Sequence, residues 1–366
     1  MRLGVRWALT ALVVAELLLA AHLWLPRLAR YPSPAIEERH YITLVVRNPE
    51  GRVVEERTYE TRSFTYTEVL AIRLLSTWYR EGSFWLSRMR FTTDLKTLDS
   101  SGRHIGFSSA SGNLGDDVNY FFPPSIVFLG SGTSSDGGRT LGSPLGVSAA
   151  PSVGYAYNDQ WFNVTVTAAF SFSEGATVSE AMLAALIWES ETAYYASVVY
   201  DSFSAVSVPA GGSLTVQWVF AWKDYGALTE NWGRLWQYAL ALNAGGVNQY
   251  VNFTDDTGAV VRIPWSNAYG GATVALRLAW GTGTSPASRS SCGLERETGS
   301  VQAGYTVHGT GLSVGGAIGS QATEVGLYWL ALDDGGNPRR ILLVRWVPGY
   351  TLPAGTPINV YVARGG

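Results

Sequence analysis

Two repeated features of this chain could in principle do chemistry, and the first is a glycine-rich turn. The motif Gly-x-Gly-Thr occupies residues 130–133 and again 281–284, each time after an apolar run. Similar turns bind phosphates, but a P-loop also needs a lysine and a dinucleotide fold needs a third glycine that opens a helix. Neither copy meets these conditions, so we expect structural glycines that supply positive φ or close backbone approach at a strand end. They are Gly130, Gly132, Gly281 and Gly283.

The second repeated feature is a glutamate, Glu180 and later Glu324, that stands directly before an apolar run. A carboxylate can act as a general acid or base, but glycoside hydrolysis requires a second carboxylate at a matched separation. No second carboxylate recurs with this pair. We therefore expect each glutamate to be structural and to accept hydrogen bonds from nearby backbone or from an arginine.

The other reactive residue types form no catalytic or metal-binding pattern. The four histidines are far apart, and three aspartate pairs in turn-like sequence lack the alternating ligands of a calcium loop. The single cysteine, Cys292, is expected to be a small buried hydrophobic residue. The sequence thus predicts no enzyme, no catalytic residue, no cofactor and no metal, and a net charge of −3 does not support a nucleic-acid partner.

A turn that follows each glutamate extends the repeat. Pro-Ala-Gly comes after Glu180 and after Glu324 at the same distance in sequence. In such a turn proline fixes φ and glycine permits positive φ. The turn residues are Pro209 and Gly211 in the first copy and Pro353 and Gly355 in the second.

Hydrophobic periodicity identifies the elements that must position these residues. Alternation of apolar and polar residues predicts strands at 163–170, 213–220 and 357–362, and a hairpin at 40–59. Helical spacing predicts short helices at 65–79 and 229–242.

These elements predict a mainly β fold built from two tandem related β-sandwich-like units, each preceded by a short helix. The first unit is expected at 40–222 and the second at 223–366. Residues 31–39, which contain two prolines, are expected to form a stiff spacer before the first unit.

The N-terminal thirty residues predict a membrane anchor. Arginines flank an apolar run at 7–25 that would be about 28 Å long as a helix, close to the hydrocarbon thickness of a bilayer. The residues after the run are a poor cleavage site, which favours a retained transmembrane helix over a cleaved signal peptide, with the body outside. The anchoring side chains are Trp7, Leu12, Val13, Leu17, Leu18, Leu23 and Leu25.

Two surface features remain. Asn163 and Asn252 begin Asn-x-Thr triplets, and Asn252 is the better glycosylation candidate because Asn163 lies in a predicted strand. The 14 tryptophans and 19 tyrosines could form a sugar-binding surface or could lie in the core and on sheet faces.

The order of these marks resembles the β-sandwich units of bacteriophage and prophage tail, fibre and virion-surface proteins. The resemblance is carried by residues 126–220 and 278–362, about half of the chain. It implies a structural or attachment role and brings no catalytic residues. The N-terminal anchor departs from ordinary tail proteins and favours a membrane-containing virus or a cellular surface protein.

The resulting hypothesis is a membrane-anchored spike, vertex or attachment component at a virion surface. Its expected partners are further copies of itself, other virion or surface proteins, the lipid membrane, and a host receptor or glycan. Two alternatives stay open. One is a pilin-like subunit of a cell-surface filament with the N-terminal helix in the filament core, and the other is a carbohydrate-binding surface module.

Overall fold

The computed structural model describes residue 34 and residues 36–61, 96–105, 118–189, 192–240, 250–264, 276–308 and 311–363. The predicted anchor at 1–30 and the predicted helix at 65–79 lie outside the described residues. No helix in these ranges is long and apolar enough to span a membrane.

The described part is mainly β. In chain order its strands are β1 (Ile36–Arg47), β2 (Val53–Thr61), β3 (Thr97–Leu98), β4 (His104–Ile105), β5 (Val118–Gly130), β6 (Pro144–Ala149), β7 (Ser152–Asn158), β8 (Trp161–Ser171), β9 (Ala176–Glu189), β10 (Thr192–Val208), β11 (Ser213–Asp224), β12 (Tyr250–Thr254), β13 (Val260–Pro264), β14 (Leu276–Gly281), β15 (Glu297–Gln302), β16 (Gly304–His308), β17 (Gly311–Ala317), β18 (Glu324–Leu332), β19 (Pro338–Trp346) and β20 (Pro357–Ala363). One helix of the described part, α1 (Glu230–Leu240), lies between β11 and β12.

The strands form five sheets within these ranges. Sheet 1 has the order β2-β1-β11-β8-β7, and sheet 2 has the order β4-β3-β10-β9-β5-β6. Sheet 3 has the order β15-β14-β18-β19, sheet 4 the order β16-β17-β20, and β12 pairs with β13 alone. Every pairing is antiparallel, so short turns can connect neighbouring strands.

Alternation along the strands creates the core. In β8 the residues Phe162, Val164 and Val166 are fully buried, whereas their neighbours in sequence are partly exposed. Because successive side chains of a strand point to opposite faces, this pattern turns one face of sheet 1 inward. The inward residues belong to the same hydrophobic cluster as Val127 and Leu183 of sheet 2, which makes a sandwich of sheets 1 and 2.

The sequence located most of these elements correctly. The three strands predicted from alternation are confirmed within β8, β11 and β20, and the predicted hairpin is formed by β1 and β2. Its turn places Gly51 at a φ of 78°. The predicted spacer extends too far, since residues 36–39 belong to β1 and pair with β11.

Helix α1 confirms the helix predicted at 229–242. One face buries Trp232, Leu235 and Trp236, and Glu230 lies in the first turn, where a negative charge is favoured. The helix packs against β7 and β8 of sheet 1 and also against β12 and β19 of the second half. It therefore connects the first sandwich to the strands of the second half.

Candidate functional site: two carboxylate-clamped loops

The repeated glutamate and the repeated glycine turn meet at the end of sheet 2. Glu180 of β9 is the antiparallel partner of Gly130, the last residue of β5. The chain then leaves β5 through a loop at 131–143 and returns as β6. The Glu180 side chain is 0% exposed, so its carboxylate needs hydrogen-bond donors from the protein.

The loop supplies those donors, and we call this arrangement the first clamp. Glu180 Oε1 accepts hydrogen bonds from the backbone N–H groups of Gly132 at 3.1 Å and Ser143 at 2.9 Å. Glu180 Oε2 accepts from the Gly142 N–H at 3.0 Å and from the Tyr200 hydroxyl at 3.0 Å. One carboxylate thus holds both ends of the loop.

Tyr200 completes the first clamp as a neutral donor. Burial, together with the nearby charge of Glu180, raises the pKa of Tyr200 to about 12 although a hydrogen bond from Ser134 opposes the shift. The phenol therefore stays protonated at neutral pH and donates to Glu180. The same phenol oxygen accepts a hydrogen bond from the Ser134 N–H at 2.7 Å, which ties the loop to β10.

The second clamp repeats this arrangement at the end of sheet 3. Glu324 Oε1 accepts from the N–H groups of Gly283 at 3.0 Å and Arg296 at 2.8 Å. Glu324 Oε2 accepts from the Glu295 N–H at 3.0 Å and from Arg345 Nε at 3.0 Å. The loop at 282–296 between β14 and β15 is therefore held at both ends, as in the first clamp.

The clamps differ in the donor from the neighbouring strand. Tyr200 pairs in register with Met182, two residues beyond Glu180, and Arg345 pairs with Gly326, two residues beyond Glu324. The same position thus holds a neutral phenol in one clamp and a cation in the other. Arg345 is only 6% exposed, so the second clamp is a buried ion pair.

The glycines of the repeat are explained by the path of the carboxylates. A Cβ at Gly130 would lie 2.7 Å from Glu180 Cγ, and one at Gly283 would lie 2.5 Å from Glu324 Cδ. Gly132 and Gly281 are likewise crowded by backbone atoms. None of the four has positive φ, so of the two roles expected for them close approach is the one observed.

A further network, centred on Asp136, also holds the loop of the first clamp, and sequence reasoning missed it. Asp136 Oδ1 accepts from Ser134 Oγ at 2.7 Å and from the Thr140 N–H at 3.0 Å, and Oδ2 lies 2.9 Å from Lys96 Nζ. Burial acts to raise the pKa of Asp136, but these hydrogen bonds hold it well below its usual value. The spacing Ser-x-Asp at 134–136 was the available signal.

The Pro-Ala-Gly turns lie at the same strand ends as the clamps, since Val208 pairs with Ala176 just before Glu180, and Leu352 pairs with Ala322 just before Glu324. Gly211 and Gly355 have φ values of 74° and 82°, which L residues with a side chain rarely adopt. The Gly212 N–H donates to Pro209 O at 2.9 Å, and the Thr356 N–H donates to Pro353 O at 3.2 Å. These residues form turns, and neither turn donates to the clamp carboxylates, whose donors are those given above.

Of the three aspartate pairs that could have suggested calcium, the pair at 116–117 lies outside the described residues, and the first aspartate of each of the other two caps a hairpin turn. Asp255 Oδ1 accepts from the Thr257 and Ala259 N–H groups, and Asp333 Oδ1 accepts from the Gly335 and Asn337 N–H groups. Arg339 forms salt bridges with both Asp255 and Asp333. Among the residues that the structure describes, no group of three histidine, cysteine or acidic side chains could hold a metal ion.

Three smaller expectations meet different outcomes. Cys292 is half-buried in the loop of the second clamp, so the prediction of a buried hydrophobic residue is wrong. Asn252 is exposed but lies in β12, so both triplet asparagines are strand residues. His40 is buried beside Phe220 and Trp222 and lies 3.6 Å from Glu38, whereas His104 is exposed.

Comparison with known proteins adds no relative to this geometry. No protein-family model, no curated protein and no solved structure matches the chain.

Proposed function

We propose that this protein is a structural component of a virion surface, a membrane-anchored spike, vertex or attachment protein that projects two tandem β-sandwiches. The observation that carries the proposal is the pair of clamps, in which the repeated buried glutamates hold backbone in place. A carboxylate with four protein donors has its acceptor positions occupied, so its role is to fix a loop.

The order of the strands supports a duplication. The sheet 2 segment β10-β9-β5-β6 has its counterpart in the sheet 3 order β19-β18-β14-β15. In the same way, β11-β8-β7 of sheet 1 corresponds to the sheet 4 order β20-β17-β16. The corresponding strands also follow each other in the same chain order. A repeated sandwich is a means of extending a projecting body.

A further buried carboxylate has the same structural character. Asp201 of β10 accepts a hydrogen bond from Trp218 Nε1 at 2.7 Å and another from the Thr61 hydroxyl. Trp218 and Thr61 lie in sheet 1, so Asp201 joins the two sheets of the first sandwich. This use of buried acids favours a construction role over an enzyme.

The β2 edge of sheet 1 suits a protein that assembles only with specific partners. The edge strand β2 carries Glu55, Glu56, Arg57 and Glu60, and charge on an edge strand opposes unspecific strand pairing. In the proposal, the apolar residues 7–25 fix the N-terminus in lipid. The sandwiches then contact neighbouring copies, other surface proteins or a host receptor.

The test is mass spectrometry of density-gradient-purified particles from the source culture, beside the host membrane fraction. Enrichment of the chain in particles, with a peptide covering residues 7–25 intact, is the expected result. Recovery only with host membranes or sheared filaments would overturn the virion proposal and favour the surface-filament alternative.

A further inference from the structure

A cleft lies between helix α1 and strand β12, away from both clamps. It has a volume of about 260 Å³ and opens to solvent. This volume is slightly below the roughly 300–1,000 Å³ of typical small-ligand pockets, which suits a single sugar-sized ring. Its lining combines two aromatic rings with polar side chains and one valine: Tyr155, Arg234, Gln237, Tyr250, Val251 and Asn252.

Tyr155 is held rigidly and offers a hydroxyl without a protein partner. Its ring stacks on Phe162 with centroids 6.3 Å apart, and Gly233 of α1 leaves room for it. The Tyr155 hydroxyl is buried and has no hydrogen-bond partner among the described residues. Burial, followed by the charge of Glu230, raises the pKa of Tyr155 to about 12, so the phenol remains a donor at neutral pH.

Tyr250 supplies an accessible aromatic surface. It is 48% exposed, and the guanidinium of Arg262, which does not line the cleft, lies 4.6 Å from its ring centroid. The carboxamides of Gln237 and Asn252 each carry both donors and an acceptor. These are the groups that pair with vicinal hydroxyls, while a flat ring packs against the C–H face of a sugar.

The positive charge that lines the cleft, that of Arg234, is paired with a carboxylate of the protein. Arg234 is its only ionisable lining residue besides the tyrosines, and its guanidinium lies 2.7 Å from Glu230 Oε1. Arg234 also donates to Asn252 O at 2.6 Å. With its cation engaged in this way, the cleft favours an uncharged ligand over an acidic one.

We propose that this cleft binds one ring of a neutral saccharide, with Tyr250 as the stacking surface and Tyr155, Gln237 and Asn252 as hydrogen-bonding groups. Its biological meaning rests on the attachment role proposed above. Glycan binding is measured on the purified chain, whereas the proposed function is tested by recovery of the chain in particles. Either result can therefore be negative while the other is positive.

The experiment screens the full-length chain, purified in mild detergent, against an array of neutral and acidic oligosaccharides. Affinities for the retained glycans are then measured by isothermal titration. We expect binding to neutral glycans built from hexoses or N-acetylhexosamines. Tyr155→Phe should weaken it about five- to tenfold, the size of one lost hydrogen bond, and Tyr250→Ala by at least about tenfold.

The matched control is Tyr350→Ala, which removes another exposed tyrosine that does not line the cleft and should leave the affinity unchanged. Circular dichroism of each variant verifies the fold. The proposal is overturned if no neutral glycan is retained, if only acidic glycans bind, or if Tyr250→Ala and Tyr350→Ala have equal effects.

Discussion

At the scale of single residues, the two clamps differ in one donor, and that difference predicts unequal costs of substitution. Glu324→Gln removes the closer of the two carboxylates that pair with the buried Arg345 guanidinium and should lower the free energy of unfolding by about 3–5 kcal/mol. Glu180→Gln leaves only neutral donors short of an acceptor and should cost about 1–3 kcal/mol. Urea denaturation of both variants measures the difference.

The exposed Glu174 provides the control for this comparison, because Glu174→Gln changes the same functional group on the surface. It should stay within about 0.5 kcal/mol of the wild type. Equal losses in the two clamp variants would contradict the claim that the charged Arg345 donor makes the second clamp more costly to disrupt than the first.

The crowded glycines yield a second prediction at this scale. Gly130→Ala places a methyl group against the Glu180 side chain and should destabilise the protein by about 1–3 kcal/mol. Gly154→Ala is the matched change, because a Cβ there meets nothing within 4 Å and Gly154 also lies in a strand. Thermal denaturation that ranked the two variants equally would exclude close approach as the reason for glycine at 130.

Asp136 predicts how stability responds to acid. Its folded-state pKa lies below the unfolded value of about 3.9, so its contribution is complete above that pH and is lost as the pH falls toward the lowered pKa. Asp136→Asn should therefore reduce stability at pH 7 and flatten its decline below about pH 4. Denaturation at several pH values tests this prediction, with Asp159→Asn as an exposed control. It would be contradicted if stability fell below about pH 4 as steeply in Asp136→Asn as in the wild type.

Residue spacing predicted part of the site. The repeat singled out Glu180 and Glu324, and the need to satisfy a buried carboxylate predicted backbone or arginine donors. Spacing could not reveal Tyr200 as a donor, because strand register brings it beside Glu180 and no local pattern encodes that pairing. Asp136 was missed for a related reason, since its ion-pair partner Lys96 lies forty residues earlier in the chain.

At the scale of elements, disruption of helix α1 should destabilise both halves of the molecule. Trp236 stacks on Trp222 of β11 with centroids 4.5 Å apart, while Asn231 bonds to backbone of Thr254 and Leu342 in the second half. Trp236→Ala should cost about 3–5 kcal/mol.

Because α1 packs against both halves, we expect calorimetry of Trp236→Ala to separate a first and a second transition. Gln237→Ala, on the half-exposed side of the same helix, is the control and should change stability by less than about 0.5 kcal/mol. A single transition displaced equally in both variants would contradict a connecting role for α1.

Element prediction succeeded where one face of the element is buried. The alternation in β8 and the helical spacing in α1 both reflect a buried stripe, which the sequence displays directly. It failed where tertiary pairing decided the outcome. Residues 36–39 follow two prolines and were expected to be a spacer, but their pairing with β11 makes them a strand.

At the scale of the whole molecule, most of the buried apolar side chains that the structure describes belong to one hydrophobic cluster that includes both halves, beside two smaller clusters. It runs from Val166 and Trp218 of sheet 1 through Trp236 of α1 to Leu327 and Ile358 of the later sheets. A close-packed core of this kind resists deformation, and the internal carboxylates hold loops at its ends.

Hydrogen exchange followed by mass spectrometry on the loops at 131–143 and 282–296 tests the duplicated clamp most directly. Slow exchange is expected at the clamped N–H groups of Gly132, Ser143, Gly283 and Arg296. Glu180→Gln should release only the first loop, and Glu324→Gln only the second. Rapid exchange of either loop in the wild-type protein, or loops insensitive to their own glutamate, would contradict the claim that one carboxylate-clamped unit is used twice.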